Sequence, residues 1–302
     1  MYLAFTKLEA YYEKRIANVL LIASLFLTAC GAEHPSSPAS TPNSANSDTT
    51  ASAPDTQKPD ADLPGATEEL SEFDSIVIDV MAADICVTTG KEWSVSYSLS
   101  DKEPIDRLGV RSGTLYVETS FDPTEHFAHD DWFVTVTIPE GTALKKVELE
   151  TLSGNVDAQN FTCDSASLDT ASGDIFIENI SARKMELKTI SDDLVAANIS
   201  ATNLETSTIS GDLSITGELG EAELNSASGD IDVTGSILTE GEIETISSDV
   251  ALTLNHPISL EAGSTGTITL NGQKFENTVQ TNDGVPVKVS SISGRIDITT
   301  ND

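Results

Sequence analysis

From Phe73 onward, apolar and polar positions alternate in short runs. "SIVIDV", "DICVTT", "WSVSYSL", "TLYVETS" and "WFVTVTI" are rich in β-branched and aromatic residues, and Gly, Pro and Asp separate them. No helical stripe follows the first thirty residues, so the pattern predicts an all-β domain. Farther along, the alternation becomes periodic. A phrase of Thr, a spacer, Ser, Gly, Asp and an aliphatic residue recurs, with its Ser at Ser153, Ser172, Ser191, Ser210, Ser228 and Ser247. The steps are 19, 19, 19, 18 and 19 residues. A degenerate copy follows at Thr265, and a last one at Ser293 after the insertion "QKFENTVQTNDGVPVKV". "AADICVTTG" at 82–90 reads as an eroded first copy. A fixed period near 20 is the mark of stacked repeats. The expected fold is a single-stranded β-helix, or β-solenoid, with about 19 residues per coil.

The columns of this repeat describe how a coil is built. Leu149, Leu168, Leu187, Thr206, Leu224 and Ile243 share one position before the phrase. Val156, Ile175, Leu194, Leu213, Ile231 and Val250 share one after it. Alternation does not carry across the phrase, because apolar Ile190 lies three residues after Leu187. The chain is therefore expected to bend there, with the aliphatics of both strands pointing at one interior. Gly would supply positive φ, and short Ser and Asp side chains would bond the local backbone. Stacked every ~4.8 Å, eight such coils would make a rod roughly 40 Å long.

Stacking also aligns charge. The phrase contributes Asn155, Asp174, Asp193, Asp212, Asp230 and Asp249 as one column; Glu148, Ser167, Glu186, Glu205, Glu223 and Glu242 form another. Like charges ~4.8 Å apart repel by roughly 0.9 kcal/mol even in bulk water. The plainer reading is that the Asp carboxylates accept backbone N–H bonds while the Glu column is a solvated face. Calcium bridging along the Asp column is the alternative. Calcium wants about six to eight oxygens, and one Asp per coil supplies few.

The chain has 302 residues, with 16 Lys and Arg against 49 Asp and Glu. That deficit of positive charge excludes nucleic acid as a partner, since its binding rests on neutralising phosphates. Residues 16–29 form an apolar run behind Lys14 and Arg15, too short to span a bilayer as a stable helix. They read as an export signal. It ends in "LTACG", which resembles the bacterial lipobox: Leu27, Thr28 and Ala29 precede Cys30, the expected site of lipid attachment. The organisation that follows is a signal peptide at 1–29, a lipidated Cys and tether at 30–70, and the β-solenoid domain at 71–302. The tether is Ser, Thr, Pro, Ala and Asp, too poor in apolar residues to order itself; as a flexible coil it would span roughly 35 Å. Losing residues 1–29 removes three basic and two acidic side chains and leaves a formal charge of −34. Cys86 and Cys163 remain, without CxxC spacing, and read as inert thiols ahead of a bridge.

The sequence carries no recognisable catalytic constellation. The four histidines are His34, His126, His129 and His256, and none lies within a repeated phrase to serve as a base for its Ser. No GxSxG, HExxH, P-loop or GxGxxG occurs. From Gly154 to the end there is neither Trp nor Tyr, so the sugar platforms of carbohydrate-cleaving β-helices are missing. No enzyme is expected, and no catalytic residue, cofactor or metal ligand is assigned. "EHFAHDDWF" is the one unusual polar cluster. His126, His129, Asp130 and Asp131 could hold a transition metal; a solvated loop before a strand, with Trp132 and Phe133 packing inward or covering a solenoid end, is the plainer reading.

The corners "TASGDIFI" and "TISGDLSI", the entry "FDSIVIDVMAADICVTTG" and the strand "VTVTIPEG" resemble the bacterial putative-adhesin family of β-strand-repeat domains. The resemblance spans about residues 72–300. It implies a β-helix-like domain outside the cytoplasmic membrane, commonly lipid-anchored, and carries over no catalytic residue. "ISDDL" and "ISSDV" depart from the pattern at Asp192 and Ser248, where Gly is lost. The expected function is that of a lipid-anchored envelope protein presenting an acidic, adhesin-like binding surface to a protein or cationic ligand. An envelope-stress sensor acting through a protein partner at the membrane is the alternative.

Overall fold

A computed structural model describes residues 66–99, 105–119 and 132–301, and in them the chain is all strand and turn, without helix. The lipobox residues Leu27 to Cys30 and the loop cluster His126, His129, Asp130 and Asp131 lie outside the described residues. Seven strands come before the repeats: β1 (Ala66–Glu69), β2 (Ser75–Val80), β3 (Asp84–Gly90), β4 (Ser94–Ser98), β5 (Ile105–Arg111), β6 (Thr114–Thr119) and β7 (Phe133–Pro139). The strand β1 begins inside the segment read as tether and pairs antiparallel with β4.

The repeats supply β8 (Ala143–Thr151), β9 (Val156–Gln159), β10 (Thr162–Thr170), β11 (Ile175–Glu178), β12 (Ser181–Thr189), β13 (Leu194–Thr208), β14 (Leu213–Ser226), β15 (Ile231–Thr245) and β16 (Val250–Leu254). Each phrase is a corner between two walls. On the first wall, Leu149 pairs in parallel with Leu168, Leu168 with Leu187, Leu187 with Thr206, Thr206 with Leu224 and Leu224 with Ile243. On the second, Val156, Ile175, Leu194, Leu213, Ile231 and Val250 stack in the same way. Both columns are buried throughout, so the walls pack their aliphatics against each other. The sequence columns are therefore tiers of one core.

The two ends depart from sequential winding. Four strands finish the chain: β17 (Ile258–Leu270), β18 (Gln273–Gln280), β19 (Val285–Ser291) and β20 (Ile296–Thr300). Ile243 is followed in the stack by Val289, and Val289 by Ala262. Val250 is followed by Ile296, and Ile296 by Ile268. The tier of Ser293 is thus inserted before that of Thr265, whereas a helix wound in chain order would place Thr265 first. The other end mirrors this. β2 lies between β8 and β6, and β3 between β9 and β7, so β2 and β3 sit beneath β6 and β7. In both places a segment from one end of the strand domain is held inside the stack. The outermost tiers are covered by antiparallel strands: β5 on β6, β4 on β7, and β18 along β17. Such covering matters because an open strand edge is a template for aggregation.

Candidate functional site

The corner is built from the inside outward. Its Thr points into the core: Thr151, Thr170, Thr189, Thr208, Ser226, Thr245, Ser291 and Ser264 form a buried hydroxyl column in strand register. Thr170 Oγ1 donates to the Gly154 carbonyl of the preceding tier at 3.1 Å. The same hydroxyl position closes the turn, since Ser226 and Ser291 accept the Gly229 and Gly294 N–H groups at 3.0 and 2.8 Å. Ile190, whose spacing from Leu187 marked the bend, is half-buried at the corner's outer edge; Thr189 takes the inward position.

The Gly of the phrase is required for a different reason than positive φ. None of Gly154, Gly173, Gly211, Gly229 and Gly294 adopts one. A Cβ on Gly173 would lie 2.1 Å from the Gly154 carbonyl oxygen, and one on Gly229 only 1.8 Å from that of Gly211. Backbone packs directly on backbone here. Where the Gly is lost, the corner is looser. Thr189 Oγ1 is 3.4 Å both from the Gly173 carbonyl and from the Asp192 N–H. At the next exception, Thr245 Oγ1 and Ser248 Oγ are buried without a hydrogen-bond partner.

The Asp column forms a continuous ladder. The N–H of Asn155 donates to Asp84 Oδ1 at 2.8 Å, that of Asp174 to Asn155 Oδ1 at 2.9 Å, and that of Asp193 to Asp174 Oδ1 at 3.1 Å. The ladder continues through Asp212, Asp230 and Asp249 at 2.8, 2.8 and 2.9 Å. It ends at Arg295, whose N–H reaches Asp249 Oδ1 at 2.7 Å and whose guanidinium pairs with Oδ2 at 3.4 Å. The carboxylates are thus backbone acceptors, as the plainer reading holds. The sequence reading did not assign Asp84 as first rung or Arg295 as terminus, although both sit at the phrase position in eroded copies. A groove of about 340 Å³ opens beside the first rungs, lined in part by Asp84, Asp174 and Asp192. Among the described residues no group of three or more His, Cys, Asp or Glu side chains is placed to hold a metal ion.

A second corner went unread in the sequence. Asn160, Asn179 and Asn198 recur at 19-residue steps with φ of 63°, 54° and 53°, the left-handed region Asn tolerates. Their amides stack, Asn179 donating to Asn160 at 2.9 Å and Asn198 to Asn179 at 2.6 Å. His256 serves a neighbouring turn: its Nε2 accepts the Ile237 N–H at 3.1 Å, leaving Nδ1 to donate to the Pro257 carbonyl at 3.0 Å. Cys86 and Cys163 are free, and burial pushes both thiols up to about 12.

The outer surface of the first wall carries the remaining charge. Asp79, Glu150 and Asp169 are neighbours in register. Burial, and then the carboxylates beside it, raises Glu150; burial likewise raises Asp169, against the pull of Lys188. Burial acts on Glu186 too, but Lys188 and Lys184 bond it and bring it below its ordinary value. Beyond Lys188 the surface changes. Between Lys188 and Lys274 the sequence has 14 Asp and Glu and no Lys or Arg, so the middle tiers carry charge of one sign. Glu205, Glu223 and Glu242 lie side by side there, and only the inserted β19 brings Lys288 next to Glu242 at 2.5 Å.

None of the curated proteins matches the chain. Among solved structures, a putative adhesin from Bacteroides fragilis NCTC 9343 is similar at 17% identity, over 80% of this chain and 99% of that one, with a TM-score of 0.40. A putative adhesin and a putative lipid binding protein, both from Parabacteroides distasonis ATCC 8503, are similar at 12% and 14% identity. They cover 78% and 79% of this chain and each is itself covered to 96%, with TM-scores of 0.39. The family model described as Toastrack DUF4097 matches residues 73–302. The chain, with its described corner-and-wall tiers inside that span, belongs to the Toastrack DUF4097 family.

Proposed function

We propose that this is a lipid-anchored cell-envelope protein presenting an acidic β-solenoid, about 19 residues to a coil, as a non-catalytic, adhesin-like binding surface. The observation that carries this reading is the unbroken run from Lys188 to Lys274, which places acid without base on the middle tiers. A field of one sign attracts cationic ligands from a distance and raises their rate of encounter. The corner's polar groups are already engaged: each Asp of the ladder holds the next tier's backbone, and the buried hydroxyls close the turns. That arrangement suits a rigid surface better than a reacting centre. Cys30 would carry the lipid, and the residues up to about 65 would hold the domain away from the bilayer.

Protease shaving of intact cells tests the reading, with an antibody against the domain as the probe. Release of the domain by a cut between residues 31 and 65 is the expected result. Protection until the envelope is opened would place the domain inside. It would favour a stress sensor working through a protein partner beside the membrane.

A further inference from the structure

The corner edge carries a stripe of apolar side chains that the core does not use. Ile246 and Ile292 are 55% and 62% exposed, Ile209 is 39% exposed, and Leu152 and Ile190 are half-buried on the same edge. They share one position along the stack, interrupted at Ala171 and Ala227. The N–H of Ser210 bonds the Ile190 carbonyl at 3.1 Å, that of Ser228 the Ile209 carbonyl at 3.0 Å, and that of Ser293 the Ile246 carbonyl at 3.0 Å. Nothing in the turn needs an isoleucine, because Ala171 and Ala227 occupy the same position in tiers that close equally well. Three of the six exposed large hydrophobic side chains of the described residues lie on this one edge, so it is a stripe and not a scatter.

Charge runs along one side of the stripe. Three residues on comes the Asp ladder, with Asp193, Asp212 and Asp249 beside Ile190, Ile209 and Ile246, until Arg295 takes that place beside Ile292; two residues before, the side chains are mixed, from Lys188 to Ser207 and Glu244. A second copy would bring two carboxylate ladders together, and an anionic bilayer would meet the same repulsion. The fitting occupant is apolar and basic. Its secondary structure follows from spacing. Tiers repeat every ~4.8 Å, while same-face residues of a strand recur every ~6.7 Å and fall out of step within two tiers. The apolar stripe of an amphipathic helix recurs every 3.5 residues at 1.5 Å each, or ~5.3 Å. It stays within about 2 Å of register over four tiers.

We propose that this ridge docks a cationic amphipathic helix of a partner protein, its apolar stripe on the isoleucines and its Lys and Arg against the Asp ladder. The proposal rests on the binding-surface reading above and names the partner's chemistry.

The test uses the full-length chain in zwitterionic nanodiscs, with empty nanodiscs as blank. The probe is a labelled Leu/Lys peptide with leucines at heptad spacing, compared by fluorescence anisotropy with a scramble of the same composition. The helical peptide should bind about tenfold tighter than the scramble. Ile246→Ser with Ile292→Ser should remove about that factor, the size expected for taking two half-exposed isoleucines out of an interface. Both sites are exposed, so the melting temperature should hold; Ile209→Ser, two tiers from Ile246 with Ala227 between, repeats the test. Equal affinity for helix and scramble, or no loss in the Ser variants, would overturn the ridge while leaving a charge-driven binding surface standing. Failure of both peptides to bind at low salt would overturn the ridge and the charge-driven surface together.

Discussion

Replacing Gly229 with Ala tests the reading of the corner as backbone packed on backbone. The added Cβ would sit 1.8 Å from the Gly211 oxygen and 2.3 Å from its carbon, where ordinary contact begins at 3.4 Å. The tiers must part locally by more than 1 Å. The Asp230 N–H to Asp212 bond at 2.8 Å and the Ser228 N–H to Ile209 bond at 3.0 Å both cross that gap. Neither survives such a shift. Two lost bonds at about 1 kcal/mol each, with about 1–2 kcal/mol of strained packing, give about 3–4 kcal/mol. Equilibrium guanidinium unfolding should show this as a lower midpoint at unchanged slope. At about 2–4 °C per kcal/mol for a domain of this size, melting should fall by roughly 6–16 °C. Asp192→Gly is the internal control, because that tier already accommodates a Cβ by stretching the Thr189 bonds to 3.4 Å. It should cost no more than about 1 kcal/mol, the entropic penalty of the glycine. If Gly229→Ala lay within about 1 kcal/mol of the parent, close approach would not be what selects the glycine.

Three further outcomes follow from the same geometry. Thr170→Val should cost about 1–2 kcal/mol by removing the hydroxyl that bonds Gly154, while Thr245→Val, whose hydroxyl has no partner, should be neutral or stabilising; melting curves of the two variants side by side decide it. Asp169 is raised by burial, so the folded chain takes up its proton at a pH where the unfolded chain does not. Its contribution to stability therefore grows as pH falls from neutral through the folded value and levels off below the unfolded one; Asp169→Asn should be more stable than the parent at neutral pH, and the gap should close in acid. Deleting residues 285–302 should strip hydrogen-exchange protection from residues 258–280 as well, because β19 and β20 join β17 to the rest. Persistent protection there would contradict the inserted order.

Much of the candidate site was legible because the repeat displays it many times over. Asp in one column, every 18 or 19 residues, already reads as a backbone acceptor once strands are known to stack, and the ladder bonds have that form. The Asn corner carried an equally regular signal and was overlooked, since its amide ladder stops at Asn198 and glycine takes over at Gly217 and Gly235. Ile190 marked the bend, but spacing left open which residue there points inward. Spacing along a strand tells which side chains share a face, but at a bend the face itself turns, and only the backbone path decides whether Thr189 or Ile190 enters the core.

The sequence by itself determined that the repeat domain is all-β, that its repeats stack in register, and which aliphatics meet inside. Those properties are local, written into every repeat through side-chain alternation and the composition of the corner. Only the tertiary structure decided the order of the tiers. The segments of Ser293 and Thr265 offer a neighbouring tier the same kind of alternating face, so the hydrophobic pattern cannot choose between them. The choice falls to the β17–β18 hairpin, which covers the outermost tier with antiparallel pairing and leaves the C-terminal strands the slot beneath it. That slot sets Lys288 beside Glu242 and closes the carboxylate ladder with Arg295, two contacts that pairing in chain order would not have made.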